Sequence, residues 1–212
     1  LIKLGLENTD AETRRASAGM IEYAPEEEKL KLLNLIVKKG LGEELIKPPL
    51  YNNTDINKEN FSRHRLDKTG SKTLLFGGKL KDKIIMRQIT PKSFIVWQKL
   101  YKNYEVWKKA GFDYVPIEPI QSYKLNNKGL VNVFCNILDL NLEMWVKKTG
   151  MFTKELNEQK DRILGVLKKL GIEHGHDHNR NFCLCFFRDE EGKIDFSRVP
   201  RLYLIDFDQA TS

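Results

Sequence analysis

The apolar positions of this chain change their spacing several times, and each change marks a predicted element. Residues 73–76 and 83–89 are short apolar runs separated by turn residues, which predicts two antiparallel strands. After Pro91 the apolar residues recur at helical spacing as far as Gly111, so a helix with a buried face is predicted there. The stripe on this helix consists of Phe94, Trp97, Leu100, Tyr101, Tyr104 and Trp107.

The spacing of apolar residues also predicts strands and helices in the second half of the chain. Residues 122–125 and 130–138 flank an Asn-Asn-Lys-Gly turn and predict a hairpin. A short helix is predicted at 142–148, and a longer helix follows and ends at Gly171. After a polar loop, the last apolar run ends in Asp206-Phe207-Asp208. Helices mixed with small antiparallel sheets predict the α+β fold class.

Residues 1–45 have a different pattern, with an internal similarity. The segment 1–6 recurs 35 positions later as 36–41, and residues 10–16 between them have the features of a capped helix start. The pattern resembles a HEAT-type repeat, and an ordinary helical hairpin is the alternative. Because one repeat cannot bury its own apolar face, it is expected to cap a longer array or to pack on the following domain. It is also a candidate surface for a protein partner.

The domain organisation follows from these patterns. Residues 46–62 are rich in turn formers and are predicted to be a linker, and residues 63–212 are predicted to form the main domain. The chain does not begin with Met, so we expect it to be a piece of a longer protein.

Composition narrows the function classes. A chain of 212 residues with 41% hydrophobic and 31% charged residues is typical of a globular protein. The net charge of +7 comes from dispersed Lys and Arg, which favours a solvated basic surface over a nucleic-acid site, and such a surface would also attract ATP and other phosphorylated ligands. No apolar stretch is long enough for a membrane span. Three cysteines in strand-like runs predict free thiols and a reducing, cytoplasmic location.

Two polar clusters near the end of the chain carry the candidate chemistry. The segment His174-Gly175-His176, followed after four residues by Asn181, resembles the His-Gly-Asp-x-x-x-x-Asn loop of aminoglycoside and choline phosphotransferases. The segment 203–210 resembles the metal-binding strand of lipopolysaccharide-sugar kinases. Together with the order of elements, these motifs resemble the protein-kinase-like superfamily over residues 65–212. The resemblance implies a two-lobed fold, with a small lobe at about 63–138 and a partial large lobe at about 139–212.

The resemblance also implies a magnesium site and a nucleotide site. Asp206 and Asp208, with the side-chain oxygen of Asn181, are expected to hold Mg²⁺ that bridges the phosphates of ATP. Arg87 stands where the family has a lysine and is expected to clamp phosphate, with Glu105 as its partner.

Further nucleotide contacts are expected from two other segments. Gly70 and Ser71 belong to the loop that would cover the nucleotide, although this loop departs from the family's glycine-rich pattern. Asp139 begins the hinge, where adenine would meet backbone groups of residues 138–141.

The acid/base position departs from the family. His176 stands where an aspartate is expected and Asp177 is one residue out of register, so either could orient the acceptor hydroxyl. The expected activity is transfer of the terminal phosphate of ATP to a hydroxyl of a protein or a small molecule. An inactive nucleotide- or partner-binding scaffold is the alternative. A rival from another class is a metal-dependent hydrolase, in which His174, His176 and His178 with Asp177 would bind zinc.

Overall fold

The computed structural model describes residues 1–46, 61–66, 72–76 and 84–212. It contains helices together with two antiparallel sheets, so the α+β fold class is confirmed. Within these residues no helix is both long enough and apolar enough to cross a membrane.

The first 46 residues form four α-helices and one 3-10 turn, Met20–Tyr23. The predicted helix start is confirmed, because the Asp10 carboxylate accepts a hydrogen bond from the Thr13 N–H at 2.7 Å and so caps α2. Three glutamates in the first turn of α3 favour its N-terminus by interaction with the helix dipole. The four helices are α1 (Ile2–Leu6), α2 (Ala11–Gly19), α3 (Glu26–Lys38) and α4 (Gly42–Ile46).

These helices pack on the C-terminal part of the chain, which is one of the two arrangements expected. The buried Lys148 ammonium donates to the Leu45 carbonyl at 3.1 Å. Gly42 approaches Phe196 so closely that a Cβ would lie 2.8 Å from the ring. The apolar surface of the helical segment is therefore covered in part by the same chain.

A five-stranded antiparallel sheet follows, in the order β1-β2-β3-β5-β4. The runs predicted at 73–76, 83–89, 122–125 and 130–138 correspond to four of its strands, although the last run extends beyond its strand at both ends. The strand β1 was not predicted, because Ser-Arg-His-Arg between Phe61 and Leu66 has no apolar alternation. The strands are β1 (Phe61–Leu66), β2 (Lys72–Phe76), β3 (Ile84–Ile89), β4 (Ile120–Leu125) and β5 (Val131–Asn136).

The aromatic stripe forms two helices and not one, α5 (Pro91–Lys102) and α6 (Tyr104–Lys109). Asn103 interrupts the helix with a ψ of 65°. Its packing role is confirmed for Trp97 and Trp107, which are fully buried and donate their indole N–H groups to main-chain carbonyls. Tyr104 is exposed, because the break at Asn103 turns it out of the stripe.

The C-terminal part contains two helices and a two-stranded sheet. α7 is capped by the Asn141 side chain, which accepts from the Met144 N–H, and α7 and α8 lie close to the predicted helices. The sheet pairs Phe182 with Leu204, so the loop before the first strand and the turn after the second lie side by side. The elements are α7 (Leu142–Thr149), α8 (Thr153–Lys169), β6 (Phe182–Cys185) and β7 (Arg201–Leu204).

Candidate functional site

A cleft of about 300 Å³ lies between the five-stranded sheet and the β6–β7 hairpin. Its wall is formed by β2 and β3 on one side, by residues 136–141 at the back, and by β6 and the end of β7 on the other side. The polar residues lining it include Arg87, Glu118, Asn181 and Asp206. The two polar clusters of the sequence therefore reach one cavity.

Arg87 lies on β3 and is buried at the centre of an ionic network. Its Nε donates to the Glu118 carboxylate at 2.6 Å, and its Nη1 donates to the Asp206 carboxylate and to the Thr73 hydroxyl, both at 3.1 Å. Burial lowers the pKa of Arg87, but the charges of Glu118 and Asp206 outweigh burial and raise the pKa. The guanidinium thus stays charged and points at Asp206.

Glu118, and not Glu105, is the partner of Arg87, so the predicted pairing was wrong. Glu105 is exposed on α6, whereas only 2% of Glu118 is exposed. The loop that carries Glu118 is fastened to β7, since the Glu118 N–H donates to the Leu204 carbonyl at 2.9 Å. Trp97 on α5 donates to the Glu118 carbonyl. The signal in the sequence was an acidic residue inside an apolar, proline-flanked segment, Pro-Ile-Glu-Pro.

Asp206 occupies a constrained turn between β7 and the 3-10 turn Phe207–Gln209. Its φ of 68° is uncommon outside glycine and requires support from the surroundings. That support comes from the Asp206 N–H, which donates to Glu118 at 3.2 Å, and from Phe207, which is fully buried and stacks on Trp97 at 5.6 Å between ring centroids. The Asp206 carboxylate is thus held just after the end of β7, as predicted.

His174 anchors the loop before β6 to the end of β7, a role that the sequence did not predict. Its Nε2 bonds to the Ile205 carbonyl at 2.9 Å, and its Nδ1 accepts from the His176 N–H at 3.3 Å. This pair of bonds requires the neutral ring with the proton on Nε2. Burial accordingly lowers the pKa of His174 to about 4. The imidazole is therefore a fixed neutral link between the loop and the residue before Asp206.

Asn181 completes the link between the two clusters. Its side-chain N–H donates to the His176 carbonyl at 2.9 Å, and its own carbonyl accepts from the Ile205 N–H at 2.9 Å. Asn181 and Asp206 line the same cleft, and their role as two ligands of one metal ion stays a prediction.

His176, and not Asp177, faces the acidic turn. The His176 Nδ1 lies 3.8 Å from the Asp208 carboxylate, and one potential ligand atom each from His176, Asp206 and Asp208 lie within 4.8 Å of one another. Asp177 is exposed. The histidine cluster required by the hydrolase alternative does not form, because His174 uses both ring nitrogens in protein hydrogen bonds.

Asp139 lies at the back of the cleft, but its carboxylate is used elsewhere. It accepts from the Phe186 N–H at 2.8 Å and from Arg188 at 2.9 Å, and Arg188 also pairs with Glu43 of α4. The backbone of residues 137–140 can still face a ligand, as the hinge hypothesis requires. Gly70 and Ser71 lie outside the described residues.

No protein-family model matches the chain, and no curated protein matches its sequence. The geometry of the cleft is therefore the basis on which a function is assigned to this chain.

Proposed function

We propose that the chain is an ATP- and Mg²⁺-dependent phosphotransferase of the protein-kinase-like fold, which transfers the terminal phosphate to a hydroxyl acceptor. In this proposal the five-stranded sheet with α5 is the small lobe, and α7, α8 and the β6–β7 hairpin are an abbreviated large lobe. The observation that carries it is the meeting of Arg87, Asn181 and Asp206 in one cleft, with Arg87 and Asp206 in contact at 3.1 Å.

The inner end of the cleft suits a nucleobase. Ile85, Leu138 and Cys183 give it apolar walls, and the backbone of residues 137–140 runs along its back. Burial raises the pKa of Cys183 to about 12, so its thiol is neutral and acts as part of the apolar surface. The volume of about 300 Å³ is at the lower end of the range for small-molecule sites. The base would therefore fill this end, with the phosphates directed towards Arg87 and Asp206.

The outer end suits phosphates with a divalent cation. The carboxylate of Asp206 and the amide oxygen of Asn181 are hard oxygen donors of the kind that Mg²⁺ prefers. The Asn181 amide is oriented by its bond to the His176 carbonyl, which uses the amide nitrogen and leaves the oxygen for another contact. A bound cation would neutralise the charge that develops on the phosphate oxygens. Arg87 supplies a fixed positive charge beside it.

A nucleotide-binding scaffold without turnover is the second candidate. It is favoured by the histidine at the acid/base position and by the three contacts that hold Arg87 in place. Phosphoryl transfer depends more on positioning and on cation electrostatics than on a strong base, which favours the enzyme.

The remaining parts of the proposal concern partners and location. The acceptor hydroxyl would enter beside His176 and Asp177, and a protein partner would bind the helical segment 1–45. The three cysteines are free thiols, which supports a reducing, cytoplasmic compartment.

The test is the binding of ATP with and without Mg²⁺, measured by calorimetry and by thermal unfolding. ATP at about 100 times its Kd stabilises a folded protein by about 2.7 kcal/mol, or about 5–10 °C for a chain of this size. We expect this gain to require Mg²⁺ and to be lost in Asp206→Asn. The control is Asp161→Asn, which removes an exposed carboxylate on α8. Equal ATP binding by Asp206→Asn and the wild type would refute the site. Release of the terminal phosphate of ATP by the wild type would identify an enzyme, and binding of ATP without this release would identify a scaffold.

A further inference from the structure

His176 occupies the acid/base position of the proposed site, yet its neighbours in the structure are two carboxylates that could bind a metal ion together with its imidazole. Its Nδ1 lies 3.8 Å from an Asp208 oxygen, and ligand atoms of His176, Asp206 and Asp208 lie within 4.8 Å of one another. At bond lengths of 2.0–2.2 Å, two ligands on opposite sides of an ion are about 4.0–4.4 Å apart, and two adjacent ligands of a tetrahedral ion are about 3.3–3.6 Å apart. The cluster therefore needs to close by roughly 0.5–1.5 Å, which rotation of the partly exposed side chains can supply.

The carboxylates of the cluster favour a cation. Arg87 contacts Glu118 at 2.6 Å and Asp206 at 3.1 Å, so these three side chains together carry one net negative charge. Asp208 adds a second carboxylate ligand, while a histidine that binds a metal does so as the neutral imidazole.

The backbone around His176 is already fixed in place. Its N–H donates to the His174 ring and its carbonyl accepts from the Asn181 amide, so both sides of the peptide unit are held. Asp208 is held in the same way, because its carbonyl accepts from the Ser93 hydroxyl at 2.9 Å. The ligand-bearing segments are thus positioned before any ion binds.

We propose that His176, Asp206 and Asp208 together bind a first-row transition-metal dication, with the imidazole as the nitrogen ligand. Mg²⁺ prefers oxygen ligands only, whereas imidazole increases affinity for ions from Mn²⁺ to Zn²⁺. The inference rests on the proposed function in one respect, because this ion would occupy the place that the proposed function gives to Mg²⁺. It assigns His176 to the metal in place of the acid/base role expected from the sequence.

The experiment measures binding of Mn²⁺ and Mg²⁺ to the full chain without nucleotide, by electron paramagnetic resonance of free Mn²⁺ and by Mg²⁺ competition. The wild type is expected to bind Mn²⁺ at least about tenfold more tightly than Mg²⁺. His176→Ala is expected to lower the Mn²⁺ affinity at least about tenfold and to change the Mg²⁺ affinity by less than about threefold. The matched control is His178→Ala, since His178 is an exposed neighbour whose ring centroid lies 6.1 Å from that of His176.

Absence of a Mn²⁺ preference in the wild type, an unchanged Mn²⁺ affinity in His176→Ala, or an equal loss in His178→Ala would each overturn the inference. His176→Asn provides a second variant if the alanine variant unfolds. Paramagnetic broadening of the His176 ring resonances by Mn²⁺ tests the wild type without any substitution. Calorimetry of ATP with Mg²⁺ separates the two proposals. If the chain binds ATP but does not prefer Mn²⁺ to Mg²⁺, only the assignment of His176 as a metal ligand is refuted. If the chain has a Mn²⁺ site that depends on His176 but does not bind ATP, only the nucleotide site is refuted.

Discussion

Removing the negative charge of Glu118 is expected to destabilise the protein strongly, although the change is only Glu118→Gln. The side chains of Arg87 and Glu118 are 5% and 3% exposed, and the ion pair between them measures 2.6 Å. Glutamine has the same shape, but it leaves the buried guanidinium with Asp206 as its remaining carboxylate partner. It also weakens the acceptor of the Asp206 N–H, which holds the left-handed turn.

The magnitude follows from the cost of a buried charge. Breaking a buried ion pair by removing one partner costs about 3–5 kcal/mol. Because Asp206 still contacts Arg87 at 3.1 Å and is 28% exposed, we expect the lower end, about 3 kcal/mol. For a chain of this length that corresponds to a fall in Tm of about 6–12 °C.

The assay is urea unfolding at 25 °C, followed by circular dichroism, with thermal unfolding as a second measurement. Glu105→Gln is the matched control, since Glu105 is exposed on α6 and its neutralisation should change the free energy of unfolding by less than about 0.5 kcal/mol. A double variant, Arg87→Met with Glu118→Met, should cost less than the sum of its single variants. A decrease of less than about 1 kcal/mol in the free energy of unfolding of Glu118→Gln would refute the buried network, and so would equal decreases in Glu118→Gln and Glu105→Gln.

Two further predictions concern the loop that carries His176 and the contact between α4 and α7. Gly175→Ala should cost about 2–3 kcal/mol in urea unfolding, because a Cβ there meets the Gln209 side chain at 2.9 Å and the φ is +84°. Gly129→Ala, with a φ of +73° and nothing within 4 Å, should cost about 1 kcal/mol, and equal costs would contradict the close approach. Burial lowers the pKa of Lys148, so the unfolded chain binds more protons just below pH 10.5 and stability rises with pH there. The wild type should therefore gain stability relative to Lys148→Met between pH 7 and pH 10, and a difference that is independent of pH would contradict this reasoning.

The sequence predicted local structure well where one segment carries its own signal. Neighbouring residues encode such features through helix caps and through the period of the apolar positions. Examples are the cap at Asp10, the strand that ends near Arg87 and the aromatic face of α5. The break at Asn103 was missed because Tyr104 and Trp107 continue the helical spacing. The strand β1 was missed because its polar residues are ordered by pairing with β2.

The candidate site divides in the same way. The sequence alone determined that an amide, a carboxylate and a basic residue of suitable chemistry stand at Asn181, Asp206 and Arg87, since residue type and spacing are local properties. Only the tertiary structure decided that Glu118 pairs with Arg87, and that His176 and not Asp177 faces Asp208. These contacts join segments distant in sequence, and their partners depend on how β7, α5 and the loop before β4 pack together, which no local pattern encodes.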